Sequence, residues 1–350
     1  MKIEPECKAM KATGLSVPHM LLSRACSRSM SNQPLFSIIL LAVLIAQNPR
    51  ARSQEAAAPH QRSGDNYTLR VKSDLVILNA TVVDRHNALV SQLNADNFQI
   101  YEDNVPQKIK NFSHEDVPVT VGIVIDNSGS MAPKRNDVID AALSFAGSSN
   151  PKDQMFVVHF NEHVSLGLSA KTPFTDRSDQ LQLALASFRA IGETALYDGI
   201  AAALEHLQLG SYDKKVLILI SDGGDNASKH TLAQIVELAK RSNAIIYAIG
   251  IFDEQDGDQN PNVLKRFAKA TGGEAFFPGS SKDIAPICDG IAHDIRSQYT
   301  LSYIPTNKAD DGKYRVIEVR ASAAGHGRLS VRTRAGYSSP PASGSIGQLP

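Results

Sequence analysis

Two kinds of hydrophobic pattern alternate along the chain. Between Tyr67 and Phe112, apolar residues recur at nearly every second position, as they do in half-buried strands. After Pro118, short and fully apolar runs alternate with segments whose apolar residues recur every three or four positions. From Tyr299 the period of two returns. The middle of the chain therefore predicts a parallel sheet covered by helices on both faces, flanked by antiparallel strands.

The central pattern predicts an α/β domain with a doubly wound, mostly parallel sheet. The strands are predicted at residues 120–125, 154–160, 215–220, 244–251 and 274–277. The helices are predicted at residues 137–145, 181–188, 196–207, 232–240, 263–270 and 282–297. Right-handed crossovers between parallel strands place ligand sites at the carboxyl ends of the strands.

The flanking strands are predicted to fold together. Two or three strands alone are marginal in water, so the simplest arrangement is one small β-sandwich into which the α/β domain is inserted. Arg332 and Arg334 are predicted to lie on an exposed face of its last strand. The predicted organisation is a signal peptide or membrane anchor at 1–52, a linker at 53–65, an N-terminal β segment at 66–116, the inserted domain at 117–297, a C-terminal β segment at 298–337 and a disordered tail at 338–350.

The apolar run LFSIILLAVLIA at residues 35–46 has the length of a signal-peptide core and is short for a membrane span. Arg24 and Arg28 precede it. We therefore expect export to the periplasm, the cell surface or the medium. The alternative is an uncleaved membrane tether, because Arg50 and Arg52 follow the run directly.

Composition excludes some classes of site and partner. Lys plus Arg and Asp plus Glu both total 36, so the chain lacks the basic excess that attracts proteins to nucleic acid. Of the three cysteines, Cys7 and Cys26 lie in the leader, which leaves Cys288 without a disulfide partner and excludes zinc-binding Cys spacings. Cys288 lies in an apolar helical pattern and is predicted to be a buried structural thiol.

Oxygen-bearing side chains follow two of the predicted strands. Asp126, Ser128 and Ser130 occupy alternate positions directly after the first strand, and Asp222 ends the third. Because the carboxyl ends of parallel strands meet at one edge of a sheet, two carboxylates and two hydroxyls should meet in one crevice. Oxygen ligands of this kind suit Mg²⁺, with Mn²⁺ or Ca²⁺ as alternatives, and leave a position for a partner's carboxylate.

These residues resemble the von Willebrand factor type A family, whose metal-ion-dependent adhesion site (MIDAS) uses an Asp-x-Ser-x-Ser loop, a Thr from another loop and a later Asp. The resemblance covers about residues 117–297 and implies that Thr194, in the stretch GETALYDG, is a fifth ligand beside Asp126, Ser128, Ser130 and Asp222. The flanks, including DNFQIYEDNVPQKIKNF, also resemble bacterial exported proteins that insert this domain between short β segments.

The resemblance implies an exported, metal-dependent adhesion or interaction protein without catalytic residues, which binds an acidic side chain of a protein or peptide ligand through the cation. Two other functions stay open: a metal-dependent hydrolase, in which the cation polarises a phosphoryl or acyl oxygen, and a metal-independent assembly scaffold of the envelope. Asp126 and Ser128 could also simply cap a helix.

Three further features have ordinary interpretations. Asp225 is interpreted as a solvated loop carboxylate, with acceptance of a hydrogen bond near the metal as the alternative. The acidic loop 253–258 lacks the glycine at the sixth position and the terminal Glu of an EF-hand, and it is predicted to be a surface loop. His159 and His163 are predicted to be structural or solvent-facing.

Overall fold

The computed structural model describes residues 75–252 and 259–341. The predicted leader, linker and acidic loop lie outside the described residues, as does the predicted tail from residue 342 onwards. Residues 66–74, where the β segment was predicted to begin, lie outside them too. None of the helices within the described ranges is long and apolar enough to cross a membrane.

The described residues form strands and helices in the predicted alternation. The strands are β1 (Val76–Val83), β2 (Phe98–Glu102), β3 (Val105–Gln107), β4 (Ile109–Ser113), β5 (Thr120–Asp126), β6 (Gln154–Phe160), β7 (Val164–Leu166), β8 (Lys215–Ser221), β9 (Ile245–Gly250), β10 (Ala275–Phe276), β11 (Tyr299–Tyr303), β12 (Tyr314–Ala321), β13 (Ser330–Arg332) and β14 (Gly336–Ser338). The helices are α1 (Arg135–Ser148), α2 (Ser178–Ala186), α3 (Leu196–Leu207), α4 (Leu232–Arg241), α5 (Pro261–Thr271) and α6 (Ile284–Arg296).

The α/β domain contains a six-stranded sheet in the order β10-β9-β8-β5-β6-β7. Its strands are parallel except for β7, which turns back against β6. Every residue of β5 is buried, because α1, α2 and α6 cover one face of the sheet and α3, α4 and α5 cover the other. This doubly wound arrangement confirms the fold predicted from the apolar runs.

Local signals set the ends of the helices near the site. Thr231 and Gln234 form a capping box at the start of α4. Asn260 caps α5, and Pro261 occupies the first turn, where its missing N–H costs nothing. Gly272 ends α5 in the left-handed conformation, with φ of 84°, that favours glycine.

The flanking strands form two four-stranded antiparallel sheets. Their orders are β13-β1-β11-β4 and β14-β12-β2-β3, so each sheet combines strands from both sides of the α/β domain. For example, Val76 pairs with Tyr303. The predicted insertion into a small sandwich is therefore confirmed. Asp103 and Asn104 join β2 to β3 in a tight turn with φ of 48° and 66°.

The sandwich encloses a charged network. Glu102 and Arg315 form an ion pair at 3.3 Å, with side chains only 2% and 3% exposed. The other carboxylate oxygen of Glu102 accepts hydrogen bonds from the hydroxyls of Tyr303, at 2.7 Å, and Tyr337, at 2.9 Å. All four side chains come from different strands, so the network joins both sheets.

A second network joins the sandwich to the α/β domain. Asp294 on α6 accepts hydrogen bonds at 2.7 Å from Thr81 Oγ1 and from Arg332 Nη2. Arg332 also pairs with Glu274. The prediction of an exposed face for Arg332 is therefore wrong, because α6 covers this side of the sheet. Arg334 is likewise only partly exposed, and it donates to Asn243 of the α/β domain.

The single cysteine among the described residues, Cys288, is fully buried in α6 against the sheet, as predicted. Burial raises the pKa of its thiol to about 12, which keeps the thiolate from forming near neutral pH. The thiol therefore acts as a small apolar side chain in the core.

Candidate metal centre

The first loop of the site begins where β5 ends. Asp126 Oδ1 accepts the backbone N–H of Ser128 at 2.9 Å, which turns the chain sharply after the strand. The hydroxyls of Ser128 and Ser130 then lie 3.1 Å apart. The alternate spacing of these three residues therefore places their oxygen atoms on one side of the loop.

The second loop follows β8, the neighbour of β5 in the sheet. Asp222 Oδ1 accepts the backbone N–H of Gly224 at 2.9 Å, and its Oδ2 accepts a hydrogen bond from the hydroxyl of Ser130 at 2.7 Å. These hydrogen bonds link the two carboxylates through Ser128 and Ser130. They lie at the carboxyl edge of the sheet, where the sequence predicts the site.

The third loop contributes Thr194. Ile191 and Gly192 exchange backbone hydrogen bonds with Asn127 and Gly129, which fixes this loop beside the Asp126 loop. Thr194 N–H donates to Oδ1 of Asn226, which follows Asp222 in the same loop, at 2.8 Å. Thr194 is buried, but within the described residues its hydroxyl forms no hydrogen bond with the other four side chains.

The two carboxylates are buried without a compensating charge. Asp126 and Asp222 are 1% and 4% exposed, and within the described residues neither forms an ion pair with a basic side chain. Burial and then the nearby charge of Asp222 raise the pKa of Asp126 to about 6, against hydrogen bonds from Ser128 and Ser221 that lower it. A divalent cation would remove this electrostatic cost.

The donor set fits a hard cation that prefers oxygen. Among the residues that the structure describes, no group of three or more His, Cys, Asp or Glu side chains could hold a metal. The present cluster has two carboxylates, and the rest of its oxygen atoms are hydroxyls. Two carboxylates balance the charge of a divalent ion, and neutral hydroxyls add ligands without adding charge.

Two contacts outside the predicted set hold the Asp126 loop. Ser221 donates its hydroxyl to Asp126 Oδ2 at 2.7 Å. Asn127 Nδ2 lies 2.7 Å from Nδ1 of His159, whose Nε2 lies 2.8 Å from the carbonyl of Ala184. Burial lowers the pKa of His159 to about 4, so the ring is neutral and accepts from Asn127 while donating to Ala184.

Sequence reasoning could have found Ser221, because it stands beside Asp222 at the end of a strand. It could not have found the support from His159, because the partner Asn127 belongs to another strand end. The prediction of a structural or solvent-facing role holds for both histidines: His159 is buried, and the side chain of His163 is 82% exposed.

Asp225 has a different role from the one expected. Its Oδ1 accepts the backbone N–H of Tyr197 at 3.2 Å and the hydroxyl of Ser228 at 2.5 Å. Burial raises its pKa. Asp225 is therefore not a solvated loop carboxylate but a half-buried acceptor at the start of α3.

The raised pKa of Asp126 predicts how pH affects the metal-free protein. The pKa of this carboxyl is near 4 in the unfolded chain and about 6 in the folded protein. The folded state therefore binds the proton more tightly, and the stability that this provides at low pH is lost as the pH rises through 6. When the pH rises from 4.5 to 7, we expect the free energy of unfolding of the metal-free wild-type protein to fall by roughly 1–3 kcal/mol more than that of Asp126→Asn. Urea unfolding of both proteins measures this; identical pH profiles would contradict it.

Gly223 fixes the turn beside Asp222. Its φ is 81°, and a Cβ atom there would lie 2.4 Å from the carbonyl oxygen of Asn260. We expect Gly223→Ala to lower the free energy of unfolding by more than about 1–2 kcal/mol and to weaken Mg²⁺ binding. The matched control is Gly290→Ala, in open space on α6, which should be neutral or stabilising by up to about 1 kcal/mol. Equal effects of the two changes in urea unfolding would refute the role of Gly223.

Comparison with protein families agrees with the fold of the central domain. Residues 120–287 match the family model of the von Willebrand factor type A domain. A search of curated proteins gives no significant match. Among solved structures, the conserved hypothetical protein BatB from Bacteroides thetaiotaomicron shares 18% identity over 50% of this chain and 98% of its own, with a TM-score of 0.40.

Two other similar structures are a von Willebrand factor type A protein from Catenulispora acidiphila and the von Willebrand factor domain of the type V pili tip protein Mfa5 from Porphyromonas gingivalis. The first shares 13% identity over 77% of this chain and 75% of its own, with a TM-score of 0.46. The second shares 16% identity over 51% of this chain and 95% of its own, with a TM-score of 0.42. At these low similarities the assignment rests on the family match: residues 120–287 are a von Willebrand factor type A domain.

Proposed function

We propose that the protein is an exported binding module that holds a divalent cation and captures an acidic side chain of a partner protein through it. The proposed ligands are Asp126, Ser128, Ser130, Thr194 and Asp222. The observation that carries the proposal is the pair of buried carboxylates that are bridged by serine hydroxyls and have no basic partner in the described part of the chain. The family match supports a protein-interaction module.

Each residue has a distinct task in this proposal. Asp126 and Asp222 supply the negative charge, and both are held in place by backbone N–H groups of their own loops. Ser128 and Ser130 supply neutral oxygen atoms from one short turn. When bound, the cation supplies an electrophilic centre for one further carboxylate oxygen. Because the site has no excess of anionic ligands, an acidic side chain of a partner would be attracted to it.

Mg²⁺ is the proposed cation, since a compact set of carboxylate and hydroxyl oxygens suits a small ion. Mn²⁺ also accepts oxygen ligands, while Ca²⁺ prefers more of them. We further propose that residues 1–52 direct export and that residues 117–297 form the inserted binding domain between the β segments 66–116 and 298–337.

A peptide library tests the capture of an acidic side chain. The immobilised full chain is panned with random peptides on phage in Mg²⁺, and bound phage are eluted with EDTA. We expect the eluted sequences to be enriched in Asp or Glu, because a carboxylate is needed at the cation. Asp126→Asn should abolish this enrichment, while Asp225→Asn, in the Asp222 loop, should preserve it. EDTA-eluted peptides without acidic residues would refute the proposal.

A further inference from the structure

A cleft of about 650 Å³ lies on the opposite side of the α/β domain from the Asp126 cluster, between that domain and the sandwich. One wall is the outer face of the sheet that contains β1. Thr81 on this face is covered by α6 through its hydrogen bond to Asp294, and the cleft opens over the preceding positions Asn79, Ile77 and Leu75. Its volume falls within the usual range of ligand sites.

The cleft exposes apolar side chains close together. Leu75, Ile77 and Val117 line it and are 40%, 45% and 42% exposed. Leu75 and Ile77 lie at the start of the sandwich, whose buried core is on the other face of β1, and Val117 lies in the connection from β4 to β5. Exposed apolar side chains that cluster at one concave place, rather than singly, indicate a contact surface.

Basic side chains line the same cleft. Lys215 and Arg334 form no ion pair within the described residues, and Asp213 is the acidic residue among those that line the cleft. Lys215 donates to the carbonyl of Leu207 at 2.8 Å, a neutral partner, and Asp213 is the nearby carboxylate that acts on its charge. The Nε–H of Arg334 is buried and has no acceptor among the residues that the structure describes. The positive charges of Lys215 and Arg334 would therefore attract a carboxylate that enters this cleft.

The cleft also borders an incomplete strand edge. Residues 76–80 of β1 pair with β11 on one side, whereas β13 pairs only with Thr81–Val83 on the other. Continuing the register of β13 would place Arg334 opposite Asn79, but the chain leaves the sheet there and donates to Asn243 instead. Within residues 75–252 and 259–341, the first half of β1 thus keeps one side open to a further strand.

We propose that this cleft binds an extended peptide segment of a partner protein in which every second residue, on the side that faces the cleft, is apolar or acidic. The peptide backbone adds to the open edge of β1, its apolar side chains contact Leu75 and Ile77, and its carboxylates lie near Arg334 and Lys215. This binding needs no cation and uses a surface remote from Asp126.

Panning the same random phage library in EDTA tests this inference, because EDTA removes any cation-dependent binding. We expect enriched sequences in which apolar residues and Asp or Glu both recur at every second position, because those positions face the cleft. Fluorescence anisotropy of a labelled selected peptide should then show at least about tenfold weaker binding to Ile77→Glu, through lost apolar contact and like-charge repulsion. The matched control Val105→Glu, at an exposed valine on β3, should bind within about twofold of wild type.

Circular dichroism verifies that each variant is folded, and Leu75→Glu replaces Ile77→Glu if the latter unfolds. Unchanged binding to a folded cleft variant would overturn the inference, as would EDTA panning that enriches no sequence with apolar and acidic residues at every second position. Because the metal proposal is tested in Mg²⁺ with Asp126→Asn, its failure is distinguishable: peptides selected in EDTA should bind that variant as they bind wild type.

Discussion

Asp126→Asn and Asp222→Asn should each weaken Mg²⁺ binding by more than about 100-fold, since even changes outside the ligand shell cost roughly 10–100-fold. Each change keeps the shape of the side chain and removes one of the two negative charges that would balance the cation. Calorimetric titration of Mg²⁺ and Mn²⁺ into the chelator-stripped full chain measures the loss. Thr194→Ala should have a smaller effect, because it removes a neutral oxygen.

The matched control for these titrations is Asp225→Asn. This carboxylate lies in the Asp222 loop and is half-buried, but it accepts hydrogen bonds from Tyr197 and Ser228 instead of Ser130. We expect its Mg²⁺ affinity to stay within a few-fold of wild type. Binding that survives in folded Asp126→Asn would remove the metal from the proposed function, and so would the absence of binding by wild type.

Glu102→Ala should lower the free energy of unfolding by about 3–5 kcal/mol, the usual cost of removing one partner of a buried ion pair. The change removes the buried carboxylate that pairs with Arg315, which keeps only the more exposed Asp311 at 3.7 Å, and it removes the acceptor of the Tyr303 and Tyr337 hydroxyls. Unpaired buried groups of this kind keep their full desolvation cost. Urea unfolding, followed by circular dichroism, measures the difference.

Glu318→Ala provides the comparison for Glu102→Ala. Glu318 also lies on a strand of the sandwich and also pairs with an arginine, Arg320, but both side chains are about half exposed, at 48% and 58%. Exposed pairs contribute about 0–1 kcal/mol, so this variant should unfold almost as wild type does. If the two variants lost similar stability, burial would not be what makes the Glu102 network important.

The sequence predicted well wherever the signal is local. The strand at Gln154–Phe160 and the helix at Leu196–Leu207 were predicted at the observed bounds, because fully apolar runs and a regular helical period mark them clearly. The meeting of Asp126 with Asp222 was also predictable, since adjacent parallel strands end at one edge.

Contacts between distant parts of the chain were not predictable in this way. The edge strand β7 has three partly exposed residues and shows no apolar run. Arg332 alternates with its neighbours as an exposed residue would, and only the packing of α6 shows that it pairs with Asp294. Thr194 was assigned by resemblance alone, and the backbone contacts that hold it link loops with no common sequence pattern.

The insertion of one domain into another sets an order of folding. Val76 cannot pair until Tyr303 has been made, which at about 5–20 residues per second takes roughly ten seconds or more after Val76 is synthesised. All strands of the inserted domain's sheet have been synthesised before that moment, so this domain can fold while the sheets that contain β1 to β4 still lack their C-terminal strands. A chain that ends before Tyr299 would keep the proposed metal ligands but leave β1 without β11, with its apolar face free to aggregate.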